Sequence, residues 1–444
     1  MTVAALLFTL ALVAISLVLI VDNLLHLSFT WQDLIFFAIL AAISFITVRA
    51  VGIALDKQFV RSVSEFIEGR RARLLDDKGL LRVFGLLLLT LLPFLIFLQL
   101  LAVYAAVIFA ALGFLFLSMF EAVPIVLVGA LVIVVLGTAV AVPIGWFRLL
   151  FPKNLPPVGL PLQSDEEYRL WQLTDDVADR LSTRAIDQII VTPEPGIGVT
   201  ADGSLFSRLT GRADRVLIVG LPSIRGLTVG EFKAVVAHEY GHFSNTDTRW
   251  GSFTHAMSSS LLTTVASTPG PFSGGGIVGF VAFVNPAWWL LSLFVALFVR
   301  VTSGFSRVRE VLADVRAIDL YGGEALSAGL RKIAANESLY HHFGHERWMA
   351  ALFDERKPVR HVLGFLEDVY SSLEPDAFER GRDELAKTKA TPYDSHPSLT
   401  FRLDYAARFT GRGEYDARPF PSLFDRWDDL NAEVADEFNR QYLD

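Results

Sequence analysis

The chain has 444 residues, 52% of them hydrophobic and only 19% charged, with a formal net charge of −8. Soluble domains carry about 25% charged residues, so a wholly soluble or disordered protein is excluded, and no basic face for nucleic acid stands out. Cysteine is absent, which removes disulfides, thiolate metal sites and a cysteine nucleophile, and leaves His and carboxylate for any metal. No Asp, Glu, Lys or Arg occurs in residues 1–21, 83–120, 122–147 or 251–299. About 20 apolar residues suffice to cross a bilayer as a helix. The composition therefore predicts a multi-pass α-helical membrane protein in contact with lipid.

Residues 1–21 lack a basic leading region and a convincing small-residue cleavage site, so they read as a retained span rather than a signal peptide. A second span is predicted over 34–55, with Arg49 snorkelling near its end. The stretch 56–82 is charged and net basic, with Arg70, Arg71, Arg73, Lys78 and Arg82, and reads as a cytoplasmic loop under the positive-inside rule. Residues 83–147 are interrupted only by Glu121, close to Pro124. As one helix they would extend about 100 Å, so two spans are predicted, 83–118 and 122–147. The first 150 residues thus form a transmembrane region of about four spans, and Arg148 and Lys153 follow on the side of the first basic stretch.

A Pro-rich linker over 151–163 leads into a module over 164–250. Ser164 and Glu167 have capping-box spacing and predict a helix running to about Leu181. Two β-type runs follow, 187–191 and 215–219. Thr228 and Glu231 make a second capping box, with Leu227 and Phe232 placed for a hydrophobic staple.

That second box announces a helix just before His238-Glu239-Tyr240-Gly241-His242. Four residues apart on a helix, the two histidines project from one face and can grip one ion. Zinc suits nitrogen and oxygen donors of this kind. Glu239 stands beside the first ligand, where its carboxylate can take a proton from a water activated by the metal. A third donor is available in Glu310, on a helical pattern that also carries Asp314 on the same face. Alone, a Glu–Asp pair among arginines is an ordinary salt-bridged helix surface. Beside two histidines, Glu310 completes a three-ligand site with one open position. Asp314 can then hydrogen-bond the outer nitrogen of a ligating histidine.

The chain resembles the HtpX-like membrane metalloproteases, in the peptidase family that also contains the CAAX prenyl endoprotease. The resemblance rests on Glu231 through His242, on Ser306 through Asp314, and on Asp394-Ser395-His396-Pro397 followed by Arg402. It implies a mainly helical α+β domain of the zincin type, gluzincin-like, attached to the membrane spans. It further implies one zinc per chain on His238, His242 and Glu310, Glu239 as general base, and Asp314 as supporting carboxylate. The His-Pro element suggests His396 near the substrate carbonyl. Pro397 suits a first helical position, and from that junction His396 could donate to the carbonyl oxygen as it gains charge. Where many relatives have an Asn-Ala-Phe-like stretch before the edge strand, this chain reads Pro195-Gly196-Ile197-Gly198-Val199.

Residues 251–302 are expected to be a membrane-embedded pair, returning Glu310 to the side of His238, with a kink at Pro286. The Ser- and Thr-rich first half, 251–268, suits a span, a re-entrant piece or a helix lining a polar cavity. Residues 303–444 complete the catalytic domain, ending in an amphipathic helix with Trp427 and Phe438. Tyr340-His341-His342-Phe343-Gly344-His345 matches no defined metal spacing and reads as a polar turn.

The function expected from these features is a zinc endopeptidase of the cell membrane, with its active site facing the cytoplasm. It would act on peptides or membrane proteins in quality control, and the strand over 215–219 would pair with extended substrate. Two other readings are a protease-domain signal transducer cleaving one dedicated partner, and a catalytically vestigial scaffold or transporter.

Overall fold

The computed structural model describes residues 2–26, 30–67, 78–120, 125–150, 159–243, 248–271, 275–387, 391, 396–409 and 415–443. Four long helices come first, α1 (Thr2–Leu25), α2 (Trp31–Ile67), α3 (Lys78–Leu117) and α4 (Ile125–Leu150). A mixed segment follows, with β1 (Leu160–Leu162), α5 (Tyr168–Arg180), β2 (Gln188–Thr192), β3 (Ile197–Asp202), α6 (Leu205–Leu209), β4 (Asp214–Gly220) and α7 (Val229–Gly241). Then come α8 (Thr248–Ser267), α9 (Gly276–Phe283) and the long α10 (Pro286–Tyr321). The remainder is helical, with α11 (Gly323–Leu339), α12 (His345–Phe353), α13 (Val362–Ser371), α14 (Pro375–Lys387), α15 (Leu399–Ala406) and α16 (Trp427–Leu443). Two compact units result, one from Met1–Pro152 and Trp250–Ser306, the other from Lys153–Arg249 and Arg307–Asp444.

Among the described residues, five helices are long and apolar enough to cross a membrane, namely α1 to α4 and α10. The protein is thus a multi-pass α-helical membrane protein. Several sequence expectations shift here. Residues 56–67, expected in a loop, extend α2, while Arg70, Arg71, Arg73 and Glu121 lie outside the described residues. Pro286 does not kink a helix but opens one, since its missing N–H costs nothing at a first position. The buried Asn285 caps that opening. Its Oδ1 accepts from the Ala287 N–H at 3.1 Å, and its Nδ2 donates to the Pro269 carbonyl at 2.7 Å.

α8 has span length but falls short of the apolarity of the other five. Several of its polar side chains, Thr254, Ser260 and Thr264, are instead buried in protein. Ser260 donates to the Gly145 carbonyl of α4 at 2.6 Å, and a Cβ at Gly145 would collide with the Thr264 hydroxyl. Close approach over small residues is how helices pack where lipid removes the hydrophobic drive. In the same unit, Arg300 of α10 and Asp56 of α2 form an ion pair at 3.0 Å.

In the second unit the four strands are ordered β1-β2-β4-β3. β2 and β4 are parallel, whereas β3 runs antiparallel to β4 with Val199 opposite Leu217. This corrects the expectation that residues 215–219 receive substrate, because β4 is bonded on both sides and offers no free edge. The edges are β1 and β3, and β3, the edge whose Val199 N–H meets Glu239 of α7, is a strand whose Ile-Gly-Val-Thr sequence gave little β signal and whose ladder is supplied by β4. The helix expected from Ser164 begins later, at Tyr168, with Glu167 as its N-cap and no side-chain capping bond. The Glu167 carboxylate is taken up by the Asp425 N–H instead, at 3.4 Å. Similarly, Ser398 rather than the residue before Pro397 caps α15, so Pro397 precedes the helix.

Candidate metal centre

α7 is set by its first turn. The Thr228 hydroxyl accepts from the Glu231 N–H at 3.2 Å, and the Glu231 carboxylate accepts from the Thr228 N–H at 2.8 Å, a complete capping box. Lys332 of α11 pairs with the buried Glu231 at 2.8 Å. The helix is enclosed on nearly all sides, with Val229, Phe232, Val235, Val236 and Tyr240 buried. Tyr240 also accepts the Ile186 N–H at 3.1 Å, which fixes the helix against the approach to β2. Glycine at 241 matters sterically, since a Cβ there would lie 2.9 Å from the Cα of Ala313. α7 and the C-terminal half of α10 therefore meet with almost nothing between them.

That contact brings His238 and His242 to Glu310. One donor atom from each of the three lies within 4.8 Å of the others. Among the described residues, these three are the one group of His and carboxylate side chains that converges in this way. His238 Nε2 is 3.6 Å and His242 Nε2 is 3.4 Å from the Glu310 carboxylate. The other nitrogen of His238, Nδ1, is 2.9 Å from Asp314, as second-carboxylate support requires. Glu239 stands beside them, its Oε2 accepting the Val199 N–H of the edge strand at 3.3 Å. Two nitrogens and a carboxylate oxygen, buried and converging, are a donor set suited to a divalent metal ion.

The electrostatics differ between the two histidines. Burial, followed by the neighbouring His238, lowers the pKa of His242 to about 3, so its ring is neutral and ready to ligate. Burial and the Arg402 charge also press down on His238, but its bonds to Asp314 and Glu310 prevail and raise it to about 9. Metal and proton thus compete for His238. Burial raises the Glu239 carboxyl above its ordinary value.

His396 comes to the same place, with Nδ1 3.0 Å from Glu310 and 64% of its side chain exposed. The bond to Glu310 raises its pKa. By contrast, His341 and His342 fall in a π-helical turn, Tyr340–Gly344, with His345 opening α12, and none of them joins the metal group. Nothing in the sequence gives Arg402 a task. In the structure Arg402 is buried at the back of the site, forked onto Asp314 at 2.6 and 2.9 Å.

Two histidines on one helix and a carboxylate on a later one are compatible with a zincin-type metal site. Comparison with known proteins agrees. Residues 211–409 match the model of peptidase family M48. The chain is 28% identical over 191 residues to a protein named Protease HtpX from Cellvibrio japonicus, covering 40% of this chain and 60% of that one. It is 27% identical over 197 residues to Protease HtpX of Pseudomonas fluorescens, covering 40% and 65% of the two chains. It is 26% identical over 158 residues to Protease HtpX of Pseudoalteromonas atlantica, covering 33% and 52%. The chain thus spans between about half and two thirds of the length of these curated relatives. No solved structure matches it. Over residues 211–409 the chain is therefore similar to the M48 peptidases, and it is similar to proteins named Protease HtpX.

Proposed function

We propose that this protein is a membrane-bound zinc endopeptidase that hydrolyses peptide bonds in membrane-protein quality control. The observation that carries the reading is the buried convergence of His238, His242 and Glu310 with Glu239 alongside. His238, His242 and Glu310 would hold the zinc, which would supply Lewis acidity toward a peptide carbonyl and lower the pKa of an attacking water. Glu239 takes the water's proton and returns it to the leaving amine, a task that suits a carboxyl whose pKa burial has raised. An extended substrate would lie along β3, an edge strand of the sheet, by strand addition. The Val199 N–H is spoken for by Glu239, so the strand also sets the position of the base. His396, kept a hydrogen-bond donor by Glu310, donates to the carbonyl oxygen as negative charge develops.

Domain organisation follows the same reading, with residues 1–150 and 251–302 in the bilayer and 164–250 with 303–444 forming the catalytic domain. His242 and Glu310 belong to one unit, so the chain between them leaves and returns, with α8 as the outward crossing and α10 as the return. The basic residues Arg148, Lys153, Arg300 and Arg307 support, through the positive-inside rule, a catalytic domain facing the cytoplasm from the cell membrane. The test is a mass-spectrometric comparison of membranes containing the parent or Glu239→Gln. Substrate fragments that depend on the parent are expected, and equal fragment patterns from a well-folded, zinc-loaded Glu239→Gln would refute the mechanism.

A further inference from the structure

Arg402 has no part in the mechanism above, yet it is one of the most constrained side chains of the site. It projects from α15, whose start is fixed by the Ser398 hydroxyl accepting the Phe401 N–H at 3.2 Å. Only 11% of the side chain is exposed. A buried guanidinium is costly unless its charge is paired and its donors are used. Here the pairing is a fork. Nε donates to Asp314 Oδ2 at 2.9 Å and Nη2 donates to Asp314 Oδ1 at 2.6 Å.

The consequences reach the metal ligands through Asp314. Its Oδ1 is also the atom 2.9 Å from His238 Nδ1. With both carboxylate oxygens held by one planar group, the plane of Asp314 is fixed, and so is the direction from which it meets the imidazole. Nδ1 of His238 is then committed to Asp314, and Nε2 is the nitrogen left facing Glu310. Arg402 does not compete for either ring nitrogen. Its Nη2 lies 3.2 Å from Nδ1 and 3.4 Å from Nε2. A donor nearly equidistant from both nitrogens sits over the ring, because an in-plane approach at those distances would run into the carbon between them. The same guanidinium reaches toward the ligand carboxylate, with Nη1 3.8 Å from Glu310 Oε2. It therefore lies between two carboxylates one helical turn apart, which would otherwise repel each other.

We propose that Arg402 is a positioning residue of the metal centre, fixing Asp314 and through it the orientation in which His238 presents Nε2. The inference rests on the reading of His238, His242 and Glu310 as zinc ligands. It predicts an effect on metal affinity, whether or not a substrate is present. Supporting groups behind ligating histidines change metal affinity by about 10–100-fold when removed.

The test is competition for zinc between the full chain in detergent and a chromophoric chelator, with thermal melting in excess chelator as the check on folding. Arg402→Gln is expected to weaken zinc binding about 10–100-fold. Arg402→Lys, which keeps the charge but loses the fork, should fall between Arg402→Gln and the parent. Asp314→Asn should lose affinity to a similar degree. Arg402→Gln combined with Asp314→Asn should lose little more than either alone, because both act on the same ring. Parental zinc affinity in Arg402→Gln, with only cleavage reduced, would overturn the proposal and point to direct contact with substrate. Losses that multiply in the double variant would overturn it equally. Should Arg402→Gln fail to fold, Arg402→Lys decides by the same titration, weaker binding supporting the proposal and parental binding refuting it. A parent that takes up no zinc would refute the metal reading itself and this proposal with it, an outcome distinct from parental affinity in the variants.

Discussion

The helices α7 and α8 follow one another in the chain, yet different forces fix them. α7 is apolar around nearly its whole circumference and carries its polar chemistry at its two ends. A capping box and Lys332 hold the first turn, and the proposed metal ligands His238 and His242 stand at the last. α8 is the reverse, a Ser- and Thr-bearing helix placed among long apolar ones, where Ser260 and Thr264 meet the backbone of α4 at Gly145. Polarity along a helix therefore does not decide its surroundings. In the second unit Glu231 and Asp314 are buried against opposite charges, on Lys332 and Arg402, and in the first unit hydroxyls are buried because a glycine lets a carbonyl come within reach.

If the catalytic unit depends on answered charges, the largest effect outside the ligands and the base should come from His396. His396→Ala is expected to lower kcat by about 10²–10³-fold, the loss typical of one oxyanion donor. Zinc content and melting temperature should stay near the parent's. A variant that melts early while its folded fraction cleaves at the parental rate would make His396 structural.

If the membrane unit depends on close approach, Gly145→Ala is the substitution that breaks it. The added methyl would meet the Thr264 hydroxyl, and overpacking of this kind costs about 1–3 kcal/mol. Thermal unfolding in detergent measures it, and Gly145→Ala combined with Thr264→Ala should recover part of the loss. A Gly145→Ala chain as stable as the parent would mean that α8 does not lean on α4 there.

The smallest pair of effects sharpens the contrast directly. Thr228→Ala removes a helix cap and should cost about 1 kcal/mol. Ser260→Ala removes an interhelical hydrogen bond in the membrane unit and should cost about 0.6 kcal/mol. Equilibrium unfolding of both variants in the same detergent would show whether the two polar devices differ in this order.

The legibility of the sequence follows the same division. α7 could be read in full, because its cap, its staple residues and its ligand spacing are all local. Glu310 and Asp314 were legible as a pair, since one helical turn separates them. The edge strand β3 was not, because Gly196 and Gly198 carry no β signal and its partner β4 lies beyond an intervening helix. The task of Arg402 was equally hidden, 88 residues from the carboxylate it holds. In α8, composition left three placements open, and the packing partner that turns its hydroxyls inward is more than a hundred residues away. Pro286 is ambiguous in sequence for a simpler reason. A proline in an apolar run can kink one helix or start another, and Asn285, which caps the start, looks unremarkable in sequence.

The most direct test of the proposed centre is the zinc content of the purified chain after exposure to the metal and dialysis. The parent should retain one zinc per molecule, Glu239→Gln should retain the same amount, and Glu310→Gln should lose it, because only the last removes a ligand. Zinc retained in full by Glu310→Gln, or lost by Glu239→Gln, would contradict the assignment of ligands and base.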